Sequence, residues 1–579
     1  MMPSFPFATA LRRAIHQGYG WTGFRSDVSA GLVVGVVAVP LSMALAIAVG
    51  APPQHGLYTA AVAGGVAALA GGSKVQVTGP TAAFIVVLAP ITAKYGLSGL
   101  LCAGLMAGLI LVCMALARLG QWIQFIPHPV TTGFTAGIAV VIALLQIKDI
   151  FGLRTGPLPS ELMERVSVLV QARHTLSGTE FAVAASTFAL LLVWPKIAPR
   201  VPAPLVALTL VSLGAFALRK MGYFVDTIGT RFTAIVDGVQ VAGIPPRPPS
   251  FALPWTGPMT VTTVRELFPH ALTIALLGAI ESLLSAVVAD GMTGKKHDPD
   301  AELMGQGLAN VVAPFFGGIA ATGALARTAT NIRAGATSPI ASVIHSAFVF
   351  LSIVLFAPLV AHVPMAALAA LLLSVAVHMS EARHFVHILR VAPRSDVAVL
   401  LTCFTLTVVM DMVVAITVGV VLAALLFMRR MSEFTGVRVL GDSDEHDRSL
   451  PEGVLLYEIS GPMFFGAAQR AISALGAVHD SKRVVVLSLA KVGVIDATGF
   501  VALESALVAL RSRQKFVIIS GPLPEPRRMF ERAQLESSFD HVLMATSEAE
   551  ALAVAADLAK LNPQWQERDA ALSTRPPTA

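Results

Sequence analysis

Charge is what this sequence has least of. Asp, Glu, Lys and Arg make up 13% of its 579 residues, about half of the ~25% usual in a soluble protein. With 55% hydrophobic residues and a mean hydropathy of +0.73, a single soluble core of this size is excluded. Disorder is excluded for most of the chain by the same numbers. Cysteine is as scarce. Cys102, Cys113 and Cys403 sit in apolar runs without CxxC spacing, which leaves no disulfide framework or thiolate metal site and three small buried hydrophobes. There is no HExxH pattern and no phosphate-binding P-loop, so neither a zinc hydrolase nor an ATP-driven pump is indicated. No nucleophile–base pair points to an enzyme, and no cofactor or metal is expected. Residues 1–27 carry Arg12, Arg13 and Arg25 without a cleavable apolar core, so no signal peptide is expected.

The charge that is present is unevenly spread. Residues 432–579 hold 15 Lys and Arg against 19 Asp and Glu, a density of about 23%, which is ordinary for a soluble module. The remainder is only about 10% charged, as a membrane body is. The net charge of +6 therefore says nothing about nucleic acid, and no nucleic-acid partner is expected. The expected organisation is an N-terminal segment 1–27, a transmembrane domain 28–431, a linker 432–451, a soluble domain 452–560 and a disordered tail 561–579.

A helix needs about 20 apolar residues to cross a bilayer. Candidate spans are roughly 28–49, 55–72, 97–117, 130–147, 180–197, 202–219, 268–291, 303–318, 335–358, 364–380, 395–411 and 412–430. Two shorter apolar pieces begin at turn-like sequences, one after Val77-Thr78-Gly79-Pro80-Thr81 and one after Ala321-Thr322-Gly323-Ala324. Counting these as half-helices makes about fourteen segments. Each half-helix follows two spans of its own half, and Gly71-Gly72 and Gly317-Gly318 precede them. Paired, interrupted segments point to an inverted-repeat transporter with its site at the midplane, with repeats over about 28–219 and 268–431. The bland reading is that Gly and Pro are simply common in membrane helices. Lys and Arg in the short loops, among them Arg118, Lys196, Lys295, Lys296, Arg429 and Arg430, favour cytoplasmic termini.

Glu281 stands in the middle of the span 268–291. A charge there costs about 2.5–3.5 kcal/mol on insertion scales, so it needs a partner, a water-filled cavity or a function. Low dielectric favours a proton on such a carboxyl, which suits it to proton coupling. The alternative is a structural acid, permanently protonated or paired with Arg327 or His270. Ser285 lies one turn on, on the same helix face, and either completes a polar cavity or packs against its own backbone. The half-helix starts bear on substrate. Free N–H groups and two dipole ends meeting at the midplane attract an anion without any charged side chain. Thr78, Gly79, Pro80, Thr81 and Ala82 would line one half; Thr322, Gly323, Ala324 and Leu325 would line the other, with Arg327 adding positive potential or acting as a structural partner. Asp411 is expected at an outer turn. The histidines are assigned no role.

The soluble part alternates strand and helix. Strands are expected at 454–459, 484–489 and 516–520. Helices are expected at 463–478, from Asp496-Ala497-Thr498-Gly499 to about 513, at 524–535 and at 547–560, all on one side of the sheet.

Val39-Pro40-Leu41-Ser42-Met43-Ala44, Gly56-Leu57-Tyr58, Val77-Thr78-Gly79-Pro80-Thr81-Ala82-Ala83 and Asn331-Ile332-Arg333-Ala334-Gly335-Ala336 resemble the SulP (sulfate permease) family of anion transporters, and the soluble part resembles that family's STAS domain. The resemblance covers roughly residues 20–560. It implies an α-helical polytopic membrane protein of about fourteen transmembrane segments in a 7+7 inverted repeat with two half-helices, plus a cytoplasmic α/β STAS domain. It also implies a homodimer in the bacterial inner membrane, and it places Ser42 in the substrate site. The stretches around Gly278–Leu284, Asp290–Gly294, Ala324–Arg327 and Ala334–Ile340 are similar to DauA-type C4-dicarboxylic acid transporters, which implies uptake of succinate, fumarate or aspartate with protons. Sulfate or bicarbonate symport and an uncoupled anion channel are the alternatives. A third reading is a receptor whose STAS domain signals to a cytoplasmic protein partner. Thr498 occupies the position that is phosphorylated in small regulatory STAS proteins, or it simply belongs to a helix cap.

Overall fold

The computed structural model describes residues 6–560 apart from 126, 157, 160, 200, 237–238, 256, 258–259, 411, 434–435, 441–449, 452 and 465–481. Two compact units are present, Met1–Ala423 and Ala424–Ala579.

Two sets of seven helical segments build the first unit and the start of the second. The first set is α1 (Trp21–Val49), α2 (Pro53–Ala70), a helix Ala83–Leu116 broken into α3 (83–95) and α4 (97–116), then α5 (His128–Ile150), α6 (Gly178–Ile197) and α7 (Ala203–Lys220). The break is at Gly96, whose φ of 68° is a left-handed value that glycine adopts without steric cost. The second set is α8 (Val261–Thr293), α9 (Pro299–Val312), α10 (Leu325–Arg333), α11 (Ile340–Val360), α12 (Met365–Met379), α13 (Arg394–Val409) and α14 (Met412–Glu433). The third member of each set, α3 and α10, is half length. Each follows a two-residue strand, β1 (Thr78–Gly79) and β2 (Thr322–Gly323). The strands pair antiparallel, Thr78 opposite Gly323 and Gly79 opposite Thr322. Extended backbone at membrane depth survives only where protein supplies its hydrogen-bond partners, and here each repeat supplies them to the other. This is the 7+7 inverted repeat that the sequence implies.

Helices α1–α4 and α8–α11 form one bundle. In it α4 packs on α8 and α9, and α11 packs on α1 and α2. In the other bundle α5 packs on α12 and α13, and α6 on α12. The bundles touch where α1 meets α12 and α7 and where the helix Ala83–Leu116 meets α5.

Several boundaries differ from the sequence reading, and two of the differences bear on buried acids. The first span starts at Trp21 rather than 28 and so contains Asp27, which is fully buried. Its carboxylate is tolerated because Tyr19 Oη (2.8 Å), Thr337 N (2.6 Å) and Oγ1 (3.1 Å), and Ser338 N (3.3 Å) and Oγ (2.5 Å) all donate to it. The span expected at 303–318 is α9 at Pro299–Val312, with Asp298 capping it through Ala301 N at 3.2 Å. Gly317, with φ 73°, lies in a turn after it. Asp411 falls outside the described residues.

The second unit holds a five-stranded sheet in chain order: β3 (Gly436–Leu440), β4 (Val454–Ser460), β5 (Val484–Lys491), β6 (Phe516–Ser520) and β7 (Val542–Ala545). β3 is antiparallel to β4 and the rest are parallel. Residues 436–440, expected as linker, therefore form an edge strand. Helices α15 (Ala497–Ser512) and α16 (Pro524–Arg532) cover one face over Leu455, Tyr457, Val485, Leu487 and Ile519. α17 (Glu548–Lys560) covers the other over Leu456, Val484, Val486 and Ile518. The expectation of helices on one side was wrong. A parallel strand such as β5, apolar from Val484 to Leu489 except at the buried Ser488, needs cover on both faces. The helix expected at 463–478 and the stretch 440–452 fall mainly outside the described residues, and the tail 561–579 wholly so.

Candidate functional site

Glu281 projects from the middle of α8. Its neighbours Ile280, Ser282, Leu283 and Ser285 are buried, whereas Glu281 itself is partly exposed. Thr81 Oγ1 donates to its Oε2 at 3.0 Å. His270 is engaged elsewhere, edge-on to Tyr95 at 5.7 Å. Arg327 interacts with Glu281 electrostatically, yet among the described residues Glu281 forms no ion pair.

Arg327, three residues into α10, is 3% exposed. Its Nη2 donates to Pro80 O at 2.5 Å, which bonds the second half-helix to the start of the first. Its Nη1 has no partner. Gly79 makes this placement possible, because a Cβ there would lie 2.6 Å from Nη1. Leu325 and Ala326 are exposed, so the first turn of α10 opens onto space. N–H groups of a first helical turn have no intrahelical partner and sit at the positive dipole end. A buried guanidinium with a spare N–H, next to such a turn, suits an anion.

The remaining expected residues divide between surface and support. Thr78 Oγ1 accepts from Gln306 Nε2 at 2.6 Å. Thr322 Oγ1 donates to Gly278 O at 2.8 Å. Ala324 N donates to Val77 O at 2.8 Å. These groups hold the crossing and have little left for a ligand. Ala82 is buried at the start of α3. Ser285 does not share Glu281's partner; its Oγ meets Thr328 Oγ1 at 3.3 Å, and Thr328 Oγ1 accepts from Val77 N at 3.0 Å. Ser42 is fully buried with an unpartnered hydroxyl and packs on α2, where a Cβ at Gly56 would lie 1.9 Å from its carbonyl oxygen. In the other unit Thr498 is exposed, and Asp496 caps α15 through Gly499 N at 2.6 Å.

Sequence reasoning missed the scaffold behind the crossing. Glu302, Gln306 and Asn310 recur at four-residue spacing on one face of α9. Glu302 is 2% exposed. It accepts from Gly72 N (3.1 Å), Ser73 N (3.0 Å), Gln76 Nε2 (2.9 Å), Ser282 Oγ (3.3 Å) and Gln306 Nε2 (3.0 Å). Asn310 brackets Ala321, donating to its O at 2.8 Å and accepting from its N at 2.8 Å. One helix thus holds the lead-in of both repeats. Three polar side chains in a row on an apolar helix were the available signal, and starting the span at 303 hid the first of them. His345 on α11 was also passed over. It is fully buried, neither ring nitrogen has a partner, and it interacts electrostatically with Arg327.

A cavity of about 380 Å³ lies between the bundles, walled by Ala44 and Ile47 of α1, Ala89 and Thr92 of α3, Gln146 of α5 and Leu368 of α12. Half-helix α3 therefore reaches from the Thr81 end of the site to this cavity. Among the described residues no group of three metal-ligating side chains occurs.

Fold and site together define a polytopic inverted-repeat membrane protein with a half-helix crossing at its centre. The chain belongs to the sulfate permease family, whose profile matches residues 24–403, and a STAS domain is matched over 448–551. It is 39% identical to the "Putative sulfate transporter YvdB" of Bacillus subtilis, over 91% of this chain and 98% of the relative. It is 30% identical to the bicarbonate transporter BicA of Picosynechococcus, over 91% and 94%. Among solved structures, the BicA transmembrane domain superposes with a TM-score of 0.60 at 26% identity, over 68% of this chain and 98% of that one. The murine anion transporter Slc26a9 superposes with 0.81 at 16% identity, over 95% and 94%, a likeness of fold.

Proposed function

We propose that this chain carries small anions across the bacterial cytoplasmic membrane by secondary active transport, with Glu281 taking a proton alongside the anion. The observation that carries this reading is the Arg327 guanidinium, buried, with one N–H unpartnered beside the open first turn of α10. An anion seated there would meet the Glu281 charge in a medium of low dielectric. A proton on that carboxyl removes the repulsion, so anion and proton bind better together than apart, which is a coupling free energy between two ligands. Alternating access would move α1–α4 with α8–α11 against the other bundle, and the cavity between the bundles supports that motion. A fixed negative charge in the path disfavours an uncoupled anion channel. The relatives' transporter names support transport over enzymatic chemistry.

C4-dicarboxylates are the substrate class to which the motif resemblance points. Sulfate or bicarbonate is the second reading, favoured by the names of YvdB and BicA. The proposal includes a homodimer in the lipid bilayer, cytoplasmic termini, the domain limits expected from the sequence and a STAS domain open to a cytoplasmic partner. Uptake of succinate, sulfate and bicarbonate by proteoliposomes, at two pH values with and without sodium, tests it. The expected result is accumulation of succinate driven by an inward proton gradient without sodium. Sodium-dependent uptake of sulfate or bicarbonate alone would replace both the substrate and the coupling ion.

A further inference from the structure

A second cluster of positive charge lies away from the crossing, on the face where the chain begins. Lys74 from the loop after α2 and Lys295 and Lys296 from the loop between α8 and α9 line a small cavity of about 40 Å³, together with Ser73, Asp290, His297 and Thr337. The nearby acids are already engaged. Asp290 accepts from His297 N at 3.0 Å and meets its Nδ1 at 2.7 Å. Asp298 caps α9 and lies 3.9 Å from Arg13. Among the described residues Lys74 Nζ bonds only the Gln17 side-chain oxygen. Among the described residues none of the three lysines has a carboxylate within ion-pair distance. Burial, and secondarily the charges of Lys295 and Arg13, hold the Lys74 ammonium below its ordinary value.

The same face carries membrane-interface features. Helix Thr9–His16 is tied to the end of α2 by Ala8 N to Ala70 O at 2.7 Å. It and the start of α1 expose Ile15 (65%) and Trp21 (71%), with Trp21 stacked on Phe24 at 5.4 Å. Arg12, Arg13 and Arg25 alternate with them. Exposed aromatic and aliphatic side chains interleaved with cations mark the headgroup level of a bilayer. The lysine cavity is joined to that level through Arg13 and Gln17.

We propose that the pocket of Lys74, Lys295 and Lys296 binds a phosphate-bearing anion, the headgroup of an anionic phospholipid. Its walls are the loop that enters the first half-helix, the loop between α8 and α9, and the loop that leaves the second half-helix. Ser73 N is held by Glu302 at 3.0 Å, and Thr337 N by Asp27 at 2.6 Å. A bound headgroup therefore bridges the lead-in of one repeat and the exit of the other, and clustered Lys and Arg next to a membrane helix are the pattern that recruits anionic lipid.

The test uses the purified full-length chain and its Lys74→Gln/Lys295→Gln/Lys296→Gln variant. Native mass spectrometry and thermal unfolding are followed with phosphatidylglycerol, phosphatidylcholine and inorganic phosphate. The wild type is expected to retain phosphatidylglycerol at least about tenfold more tightly than phosphatidylcholine, and the variant to lose that preference. Equal retention by both proteins, or no preference for the anionic lipid, would overturn the proposal. Protection by inorganic phosphate without protection by phosphatidylglycerol would overturn the headgroup as source. Should the triple variant not fold, Lys296→Gln alone, at an exposed position, is expected to weaken phosphatidylglycerol retention severalfold, and an unchanged retention would count against the pocket.

Discussion

Thr81 Oγ1 donates to Glu281 Oε2 at 3.0 Å, so the start of the first half-helix is bonded directly to the first helix of the second repeat. The hydroxyl recognises the carboxyl without neutralising it. Replacing Glu281 with Gln keeps an oxygen for Thr81 and removes the titration. Glu281→Gln is expected to retain anion exchange and lose uphill accumulation driven by a pH gradient. Proteoliposomes of this variant that still concentrate substrate on the proton gradient alone would falsify the coupling role.

Gly79 lies under the Arg327 guanidinium, where a Cβ would come within 2.6 Å of Nη1. The clash is with the end of a side chain, so Gly79→Ala is expected to fold and to displace the guanidinium from Pro80. Substrate affinity measured by calorimetry should fall at least about tenfold, a loss of ~1.4 kcal/mol or more. Arg327→Lys should behave alike, because one ammonium cannot reproduce the planar fork that serves Pro80 and an anion together.

Glu302 accepts five hydrogen bonds without a cation. Glu302→Gln would place an N–H among donors and leave at least one of them unmatched, at a cost of about 1–3 kcal/mol each. The expected result is a lower unfolding temperature in detergent with an unchanged proton-to-substrate ratio in whatever uptake remains. A changed ratio would mean that Glu302 itself takes part in coupling.

His541 of β7's lead-in is 2% exposed, and its Nε2 meets Leu507 O at 2.9 Å. Burial lowers its pKa from the ordinary value of 6.5. A His depressed in the folded state contributes stability above its unfolded pKa and loses it as pH falls. Amide protection in β6 and β7 should therefore weaken on going from pH 7 to below about 6.5, more so than in a His541→Gln variant. Equal weakening in both would assign the effect to other groups.

The repeat was legible because extended backbone in a membrane needs special residues. Thr78-Gly79-Pro80 and Thr322-Gly323-Ala324 announce the breaks, and Glu281 announces itself as a lone acid among apolar residues. What could not be read was mutual satisfaction between distant segments. The first span was begun just after Asp27, whose donors Thr337 and Ser338 lie some three hundred positions away in sequence. Glu302 was lost for the same reason, since its partners come from 72–76, α8 and its own next turn. Ser42 was placed in the site by resemblance, Thr322 by its position at a half-helix start and Ser285 for its hydroxyl, and whether a hydroxyl faces a ligand or a neighbour is decided by packing. In the soluble unit the alternation of strand and helix was plain, but which face each helix covers depends on strand order.

Two rungs of main-chain pairing, Thr78 with Gly323 and Gly79 with Thr322, fasten the half-helices back to back. Arg327 on Pro80 and the α9 ladder add further ties. The two half-helix starts therefore cannot be prised apart without breaking that seam. In the transport cycle proposed above, loading and unloading would come from carrying the intact crossing past its surroundings, so an anion would meet the same contacts at either membrane face, and the direction of net flow would be set by the gradients rather than by a change in grip.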